Sequence, residues 1–370
     1  MMLELLFYLA LIIVAVSTLI SVFNLFTAPM FANRKNESTN EPFISVLIPA
    51  RNEEKNIGNI IEDLTKQTYK NFELIILDDE SEDDTEKVIS EKKSLNNLAS
   101  AIKLIRGKPL TMGWLGKNWA CHQLSQEARG DYLLFLDADV RVKPNVLESC
   151  VYYQNKYGLQ MITCFPTQLI KSFGEWLVVP LMNFLLLAFL PLRKVYSSPN
   201  KSFVAANGQF LFIDRNTYEK IGGHSAFADR VVEDMEIARE VKKAGFKLIT
   251  FLGGSSISCR MYGGFTEAFN GFSKNFFPGF NIPAILFFLL LIILFLAFLL
   301  PFTLIFMNPS FLIIVLIVMM GRLFISIPSR QNLIINILLH PIQILIMLAI
   351  GVNSIYRIKT KKLKWKGRYI

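Results

Sequence analysis

Histidine and cysteine are scarce in this 370-residue chain, three of the first and four of the second. Cys121, Cys150, Cys164 and Cys259 never form a CxxC pair, and His122, His224 and His340 lie in unrelated contexts. That argues against a zinc site or a disulfide framework and for reduced, buried thiols in a cytoplasmic compartment. Charge is missing over two long stretches, between Glu4 and Arg34 and from Asn275 to Gly321. With 52% hydrophobic residues and 31 Phe, the chain is too apolar for an ordinary soluble protein or for disorder. Scattered Gly and Pro argue against a collagen or coiled-coil rod.

The uncharged stretches read as membrane segments, since about 20 apolar residues at 1.5 Å rise cross a hydrocarbon core of ~30 Å. Leu5 to about Ala28 is expected to span as an uncleaved anchor. Arg34 and Lys35 follow it and place the next residues inside. Pro301 and Asn308-Pro309 divide the C-terminal run into expected spans at 281–306 and 310–328. The stretch 333–356 contains Asn336, His340 and Gln343 and precedes the basic tail RIKTKKLKWKGRYI. Keeping that tail at the anionic inner leaflet favours a re-entrant or interfacial 333–356. The net charge of +9 thereby finds a membrane role, and nucleic acid is not an expected partner. The expected organisation is a membrane anchor (1–33), a cytoplasmic α/β domain (34–275), membrane helices (276–356) and a basic cytoplasmic tail (357–370), in a multi-pass plasma-membrane protein. The apolar run Trp176–Leu192 reads equally as a core helix or as one dipping into the membrane.

Within 34–275, strand-like Phe43–Pro49, Phe72–Leu77 and Asp131–Val140 alternate with helix-like Ile57–Thr68 and Thr85–Lys93. Near-continuous apolar strands predict a parallel sheet covered on both faces. Acidic residues gather where strands end, at PARNEE (49–54), DDESEDDT (78–85) and DAD (137–139), with VED at 232–234 further on. Ligands of open α/β sheets bind at the carboxyl ends of strands. Several carboxylates at one edge repel each other unless a cation lies between them, and hard oxygen ligands with few histidines select Mg²⁺ or Mn²⁺. Such ions complete their shell with phosphate oxygens, so the pattern fits a nucleotide diphosphate site. Each motif alone has a plainer reading: a capped helix start for PARNEE, a solvated turn for DDESEDDT, a strand end for DAD and an amphipathic helix start for VED.

Taken in order, these four motifs resemble family 2 glycosyltransferases of the GT-A fold, a Rossmann-like α/β architecture, over roughly residues 43–275. Within that family GWLGKNWACHQ (113–123), IGGHSAFADRVVED (221–234), FTEAFNGFSKN (265–275) and WKGRY (365–369) look like the bacterial carotenoid-acid glucosyltransferases. The resemblance implies donor contacts from Pro49, Arg51, Glu53, Asp79, Ser81, Lys117 and Asp137, and a metal at Asp139. It implies a base at Asp234 beside Glu233 and an acceptor side at Asn207 and Gly208, where Arg260 and Lys274 could hold an acceptor carboxylate. The implied activity is inverting transfer of a hexose, glucose first, from a UDP-sugar to the carboxylate of a C30 carotenoid acid. Membrane lipids and other pigment-pathway enzymes are its implied partners. Polyprenyl phosphate or diacylglycerol as acceptor, and a non-catalytic nucleotide-sugar-binding scaffold, are the competing readings. Two departures stand out: Glu80 occupies a position where the family usually has Gly, and CRMYGGF (259–265) replaces the Q-x-x-R-W signature of processive synthases. The second implies one sugar per acceptor.

Overall fold

The computed structural model describes residues 1–36, 41–95, 102–360, 364–365 and 368–369. The side chains of 361–370, on which the lipid contact of the tail and the WKGRY motif depend, lie outside the described residues. The chain divides into a sheet unit (29–167, 195–260 and 365–370) and a helical unit (1–28, 168–194 and 261–364).

The sheet unit is built on β1 (Ile44–Ala50), β2 (Phe72–Asp78), β3 (Ile102–Arg106), β4 (Tyr132–Leu136), β5 (Val140–Val142), β6 (Met161–Phe165), β7 (Thr167–Gln168), β8 (Phe210–Asp214), β9 (Leu248–Leu252) and β10 (Ile257–Cys259). Seven of these form one sheet in the order β3-β2-β1-β4-β8-β6-β9, and β5-β10-β7 form a smaller one. ISVLIPA and FELIILD each pair with a strand on either side, and every position but Pro49 is buried, as strands covered on both faces require. Pairings β1–β2, β2–β3, β1–β4 and β6–β9 are parallel, whereas β8 runs antiparallel to both β4 and β6. This reversal brings the start of β8 to the edge at which β1, β2 and β4 end. Helices Ile57–Thr65, Gly116–Glu127 and Glu233–Lys243 supply the turns that meet that edge.

The strand expected over 131–140 is broken. Asp137 donates its N–H to the Gln209 carbonyl at 3.1 Å and accepts at its own carbonyl from the Val140 N–H at 3.2 Å, so DAD forms a turn between β4 and β5.

Among the described residues, the helical unit contains three helices long and apolar enough to cross a membrane: Met2–Thr27, Ala284–Leu304 and His340–Lys359. Phe173–Phe189 and Phe311–Ser326 are shorter apolar helices. By length, then, the C-terminal stretches differ from the expectation that 310–328 crosses and 333–356 does not. The physical reason is visible in the polar residues. Asn336, His340 and Gln343 are fully buried against other helices, so they impose no lipid-facing cost on the segment that carries them. Helix Phe265–Phe280 belongs to this unit and packs on His340–Lys359, with the Phe277 N–H donating to Ser354 Oγ at 3.0 Å and Arg357 Nη2 to Asn270 Oδ1 at 2.6 Å.

Candidate active site

Four chain segments of the sheet unit meet at the edge where β1, β2 and β4 end. The first two are the turns after β1 and β2, held together by Arg51. Its buried guanidinium donates from Nη1 to the carbonyls of Asp79 at 2.6 Å and Glu80 at 2.8 Å, and from Nη2 to Glu82 Oε1 at 3.3 Å. Arg51 thus ties the turn after β1 to the backbone that fixes where Asp79 sits. Ser81 is likewise committed to the turn. Its hydroxyl donates to Asp78 Oδ1 and accepts from the Asn52 N–H at 3.0 Å. Glu80 adopts φ +56°, the left-handed conformation that a glycine would take freely, so a non-glycine residue here stores strain. Pro49 is the second-last residue of β1, and Glu53 accepts from Asn56 Nδ2 at 2.8 Å through Oε2.

The DAD turn and the segment leading into β8 complete the centre. Lys117, second residue of helix Gly116–Glu127, reaches Asp137 Oδ1 at 2.7 Å and Oδ2 at 3.0 Å, the Gly208 carbonyl at 3.3 Å and Glu233 Oε1 at 3.9 Å. Burial works against its ammonium, but the charges of Asp137 and Glu233 outweigh it and hold the pKa above the ordinary lysine value. Asp234 accepts from the Gly208 N–H at 2.6 Å and from the Met235 N–H at 2.7 Å. Its burial raises its pKa, opposed by Lys117 and by those two N–H groups. A Cβ on Gly208 would lie 3.2 Å from Lys117 Nζ, 3.3 Å from Glu233 Oε1 and 3.4 Å from Asp234 Oδ2. Gly208 is thus the point on which the cation and two carboxylates close.

Asp139 is half-buried, and its Oδ1 is enclosed without a hydrogen-bond partner. Burial first, then the charges of Asp137 and Glu53, push its pKa up to about 7, against the opposing effects of the Cys259 thiol and Lys117. A carboxylate destabilised by burial and by like charges, with an inward oxygen unspent, is the donor a hard divalent cation takes. Among the described residues no three His, Cys, Asp or Glu side chains form a metal cage. The fit is therefore to an ion held by Asp139 that draws its remaining ligands from elsewhere, as Mg²⁺ does with substrate phosphates.

The remaining expected residues lie as follows. Asn207 is buried and spends its side chain locally, Oδ1 accepting from the Gln209 N–H at 2.9 Å while its own N–H donates to Thr163 Oγ1 at 2.9 Å. It shapes the turn that presents Gly208. Arg260 is exposed just past β10, and Lys274 lies on Phe265–Phe280 in the helical unit. Sequence reasoning missed Gln209, whose Nε2 donates to Cys259 Sγ at 2.9 Å beside Asp139, and Asn118, whose Nδ2 donates to the carbonyls of Phe227, Ala228 and Arg230 at 2.8, 3.2 and 2.9 Å. Asn118 anchors the loop leading to Glu233 and Asp234. Its position directly after Gly-Lys was the available signal.

A predominantly parallel seven-stranded sheet with acidic turns at the carboxyl ends defines the GT-A class of fold. The mannosyltransferase PcManGT of Pyrobaculum calidifontis, solved with GDP-Man and Mn²⁺, superposes with a TM-score of 0.58 over 95% of this chain and 98% of its own, at 15% identity. Residues 45–222 match the model of Glycosyl transferase family 2. It is also similar to 4,4'-diaponeurosporenoate glycosyltransferases: 26% identical over 257 residues to that of Staphylococcus haemolyticus (strain JCSC1435), and 24% over 253 residues to that of Staphylococcus aureus (strain USA300). These matches cover 67% and 66% of this chain and 64% of each relative, so the chain spans less than two thirds of the length of those relatives.

Proposed function

We propose that the protein is a membrane-associated inverting glycosyltransferase that moves glucose from UDP-glucose to the carboxylate of a C30 carotenoid acid, giving a glycosyl ester. The observation that carries the transferase reading is the closure of Lys117, Asp137, Glu233 and Asp234 around Gly208, at the sheet edge that also holds Asp79 and Asp139. The relatives named for diaponeurosporenoate support the acceptor. Three helices apolar enough to span suit an enzyme whose acceptor partitions into lipid.

In this reading Asp79 receives the uracil ring and Asp137 lies toward the ribose. Lys117, held cationic by Asp137 and Glu233, turns to the donor diphosphate. A Mg²⁺ or Mn²⁺ ion held by Asp139 would supply further positive charge opposite the leaving group. The acceptor oxygen forms a bond to the anomeric carbon from the face opposite the diphosphate. The bond from that carbon to the β-phosphate oxygen breaks, and its electron pair leaves with UDP. A carboxylic acid acceptor has already lost its proton near neutral pH, so Asp234 orients the reacting edge through Gly208 and need not act as a base. For a hydroxyl acceptor the same carboxylate would have to remove a proton.

The test is the full-length protein in lipid nanodiscs with UDP-glucose, a divalent cation and a C30 carotenoid acid, followed by mass spectrometry. An alkali-labile product heavier by one hexose, with matching UDP release, is expected. Hexose found only on polyprenyl phosphate or diacylglycerol would overturn the acceptor, and no UDP release with any acceptor would overturn the enzyme.

A further inference from the structure

The helical unit contains a charge that the transfer reaction does not use. Arg322, on Phe311–Ser326, is 1% exposed. Its Nη2 donates to Gln343 Oε1, its Nε donates to the Asn336 carbonyl at 3.4 Å, and its Cζ stands 5.1 Å from the centroid of the Phe184 ring. A guanidinium has five N–H donors, and here its acceptors are an amide oxygen and a peptide carbonyl, both neutral. The two hydrogens on Nη1 are enclosed with no acceptor.

The surroundings are arranged around this cation and do not neutralise it. Gln343 donates from Nε2 to the Trp176 carbonyl at 2.7 Å, which turns its Oε1 toward Arg322. Asn336 donates from Nδ2 to Ser326 Oγ and to Gln331 Oε1, both at 2.9 Å. Gln331 Nε2, at the end of this chain of bonds, is also a buried donor without an acceptor. The unspent atoms of Arg322 and Gln331 are donors, while His340, whose Nε2 faces the Phe298 carbonyl at 3.1 Å, keeps its Nδ1 enclosed without a partner. A charged side chain enclosed among membrane helices, with neutral partners only and donors left over, marks a place where an anion is bound.

We infer that the Arg322 cluster binds one anionic amphiphile by its phosphate or carboxylate head, at a site separate from the transfer chemistry. The fork of Nη1 and Nη2 suits either group, and the aromatic side chains of Phe184, Phe298 and Phe302, which pack around His340, give an apolar wall for the chain that follows the head. The inference does not rest on the acceptor assignment. A phospholipid and a lipophilic acid share the required chemistry.

The experiment uses the full-length protein in phosphatidylcholine nanodiscs, titrated separately with dioleoylphosphatidylglycerol, oleic acid and inorganic phosphate, and read by native mass spectrometry and thermal melting. One-to-one retention of either amphiphile by the wild type, about tenfold weaker in Arg322→Gln and partly restored in Arg322→Lys, is expected. Retention of phosphatidylglycerol alone identifies a lipid headgroup, of oleate alone an acid, and of inorganic phosphate as well a head-driven site. Equal retention by wild type and Arg322→Gln, or none by the wild type, overturns the inference. Should Arg322→Gln fail to fold, diazirine-bearing phosphatidylglycerol and oleate are crosslinked to the wild type. Labelling of peptides carrying Phe184, Asn336 or Gln343 supports the site, whereas labelling confined to exposed positions such as Leu5 and Ile12 overturns it.

Discussion

At Gly208 the missing side chain is what allows Lys117, Glu233 and Asp234 to approach one another. Its φ is outside the positive region, so alanine costs little in backbone terms and acts by displacing the three charged ends a few tenths of an ångström. Gly208→Ala is expected to lower kcat about ten- to hundredfold while leaving the melting temperature nearly unchanged; unaltered kcat would mean the cluster is not the reacting edge. Asp234→Asn keeps an oxygen for the Gly208 N–H but loses the charge. Activity on a carboxylate acceptor should then fall much less than activity on an alcohol of similar size, a comparison made with paired UDP-release assays. Equal collapse on both would remove the ester-forming mechanism. At this scale the acidic motifs were legible because carboxylates at strand ends are visible as short patterns. The division of labour among them was not. Nothing in PARNEE says that Arg51 binds the carbonyls of Asp79 and Glu80, because a side chain's partner across two strands depends on register.

Among the elements, β1 and β2 were legible as unbroken apolar runs, whereas β3 was not. IKLIR is a partly exposed edge strand, too short and too polar to stand out from a loop. The break after β4 escaped notice because Ala138 continues the apolar pattern through a turn that a hydrogen bond from β8's approach imposes. The turn after β2 offers a test of how strain is tolerated there. Glu80→Gly releases a left-handed non-glycine residue and keeps the carbonyl that Arg51 binds. A gain of about 0.5–1 kcal/mol in stability is expected from thermal or denaturant melting, with a loss showing that the glutamate side chain anchors the turn. In the helical unit, the polar residues of 333–356 argued against crossing because the sequence does not reveal which helix face they occupy. Their burial against neighbouring helices removes that objection.

For the molecule as a whole, acid sensitivity should trace in part to His224. It is buried in the sheet unit with Nδ1 bonded to Tyr218 Oη at 2.8 Å, and its burial, reinforced by the positive charge of Lys117 and His122, holds its pKa down to about 3. An unfolded histidine titrates near 6.5, so the unfolded chain takes up the proton first. The stability from this group is complete above ~6.5 and is lost as pH falls toward about 3, with a limiting slope of about 1.4 kcal/mol per pH unit. Melting temperatures across that window should fall more gently in His224→Gln than in the wild type, and parallel slopes would exclude the histidine as a source.

All four cysteines, Cys121, Cys150, Cys164 and Cys259, are buried and unpaired. A maleimide spin label or fluorophore should therefore ignore the native chain and report only from a cysteine introduced at a chosen surface position. Pairs of such reporters within the sheet unit would let electron paramagnetic resonance measure distances there, with no background thiols to remove first.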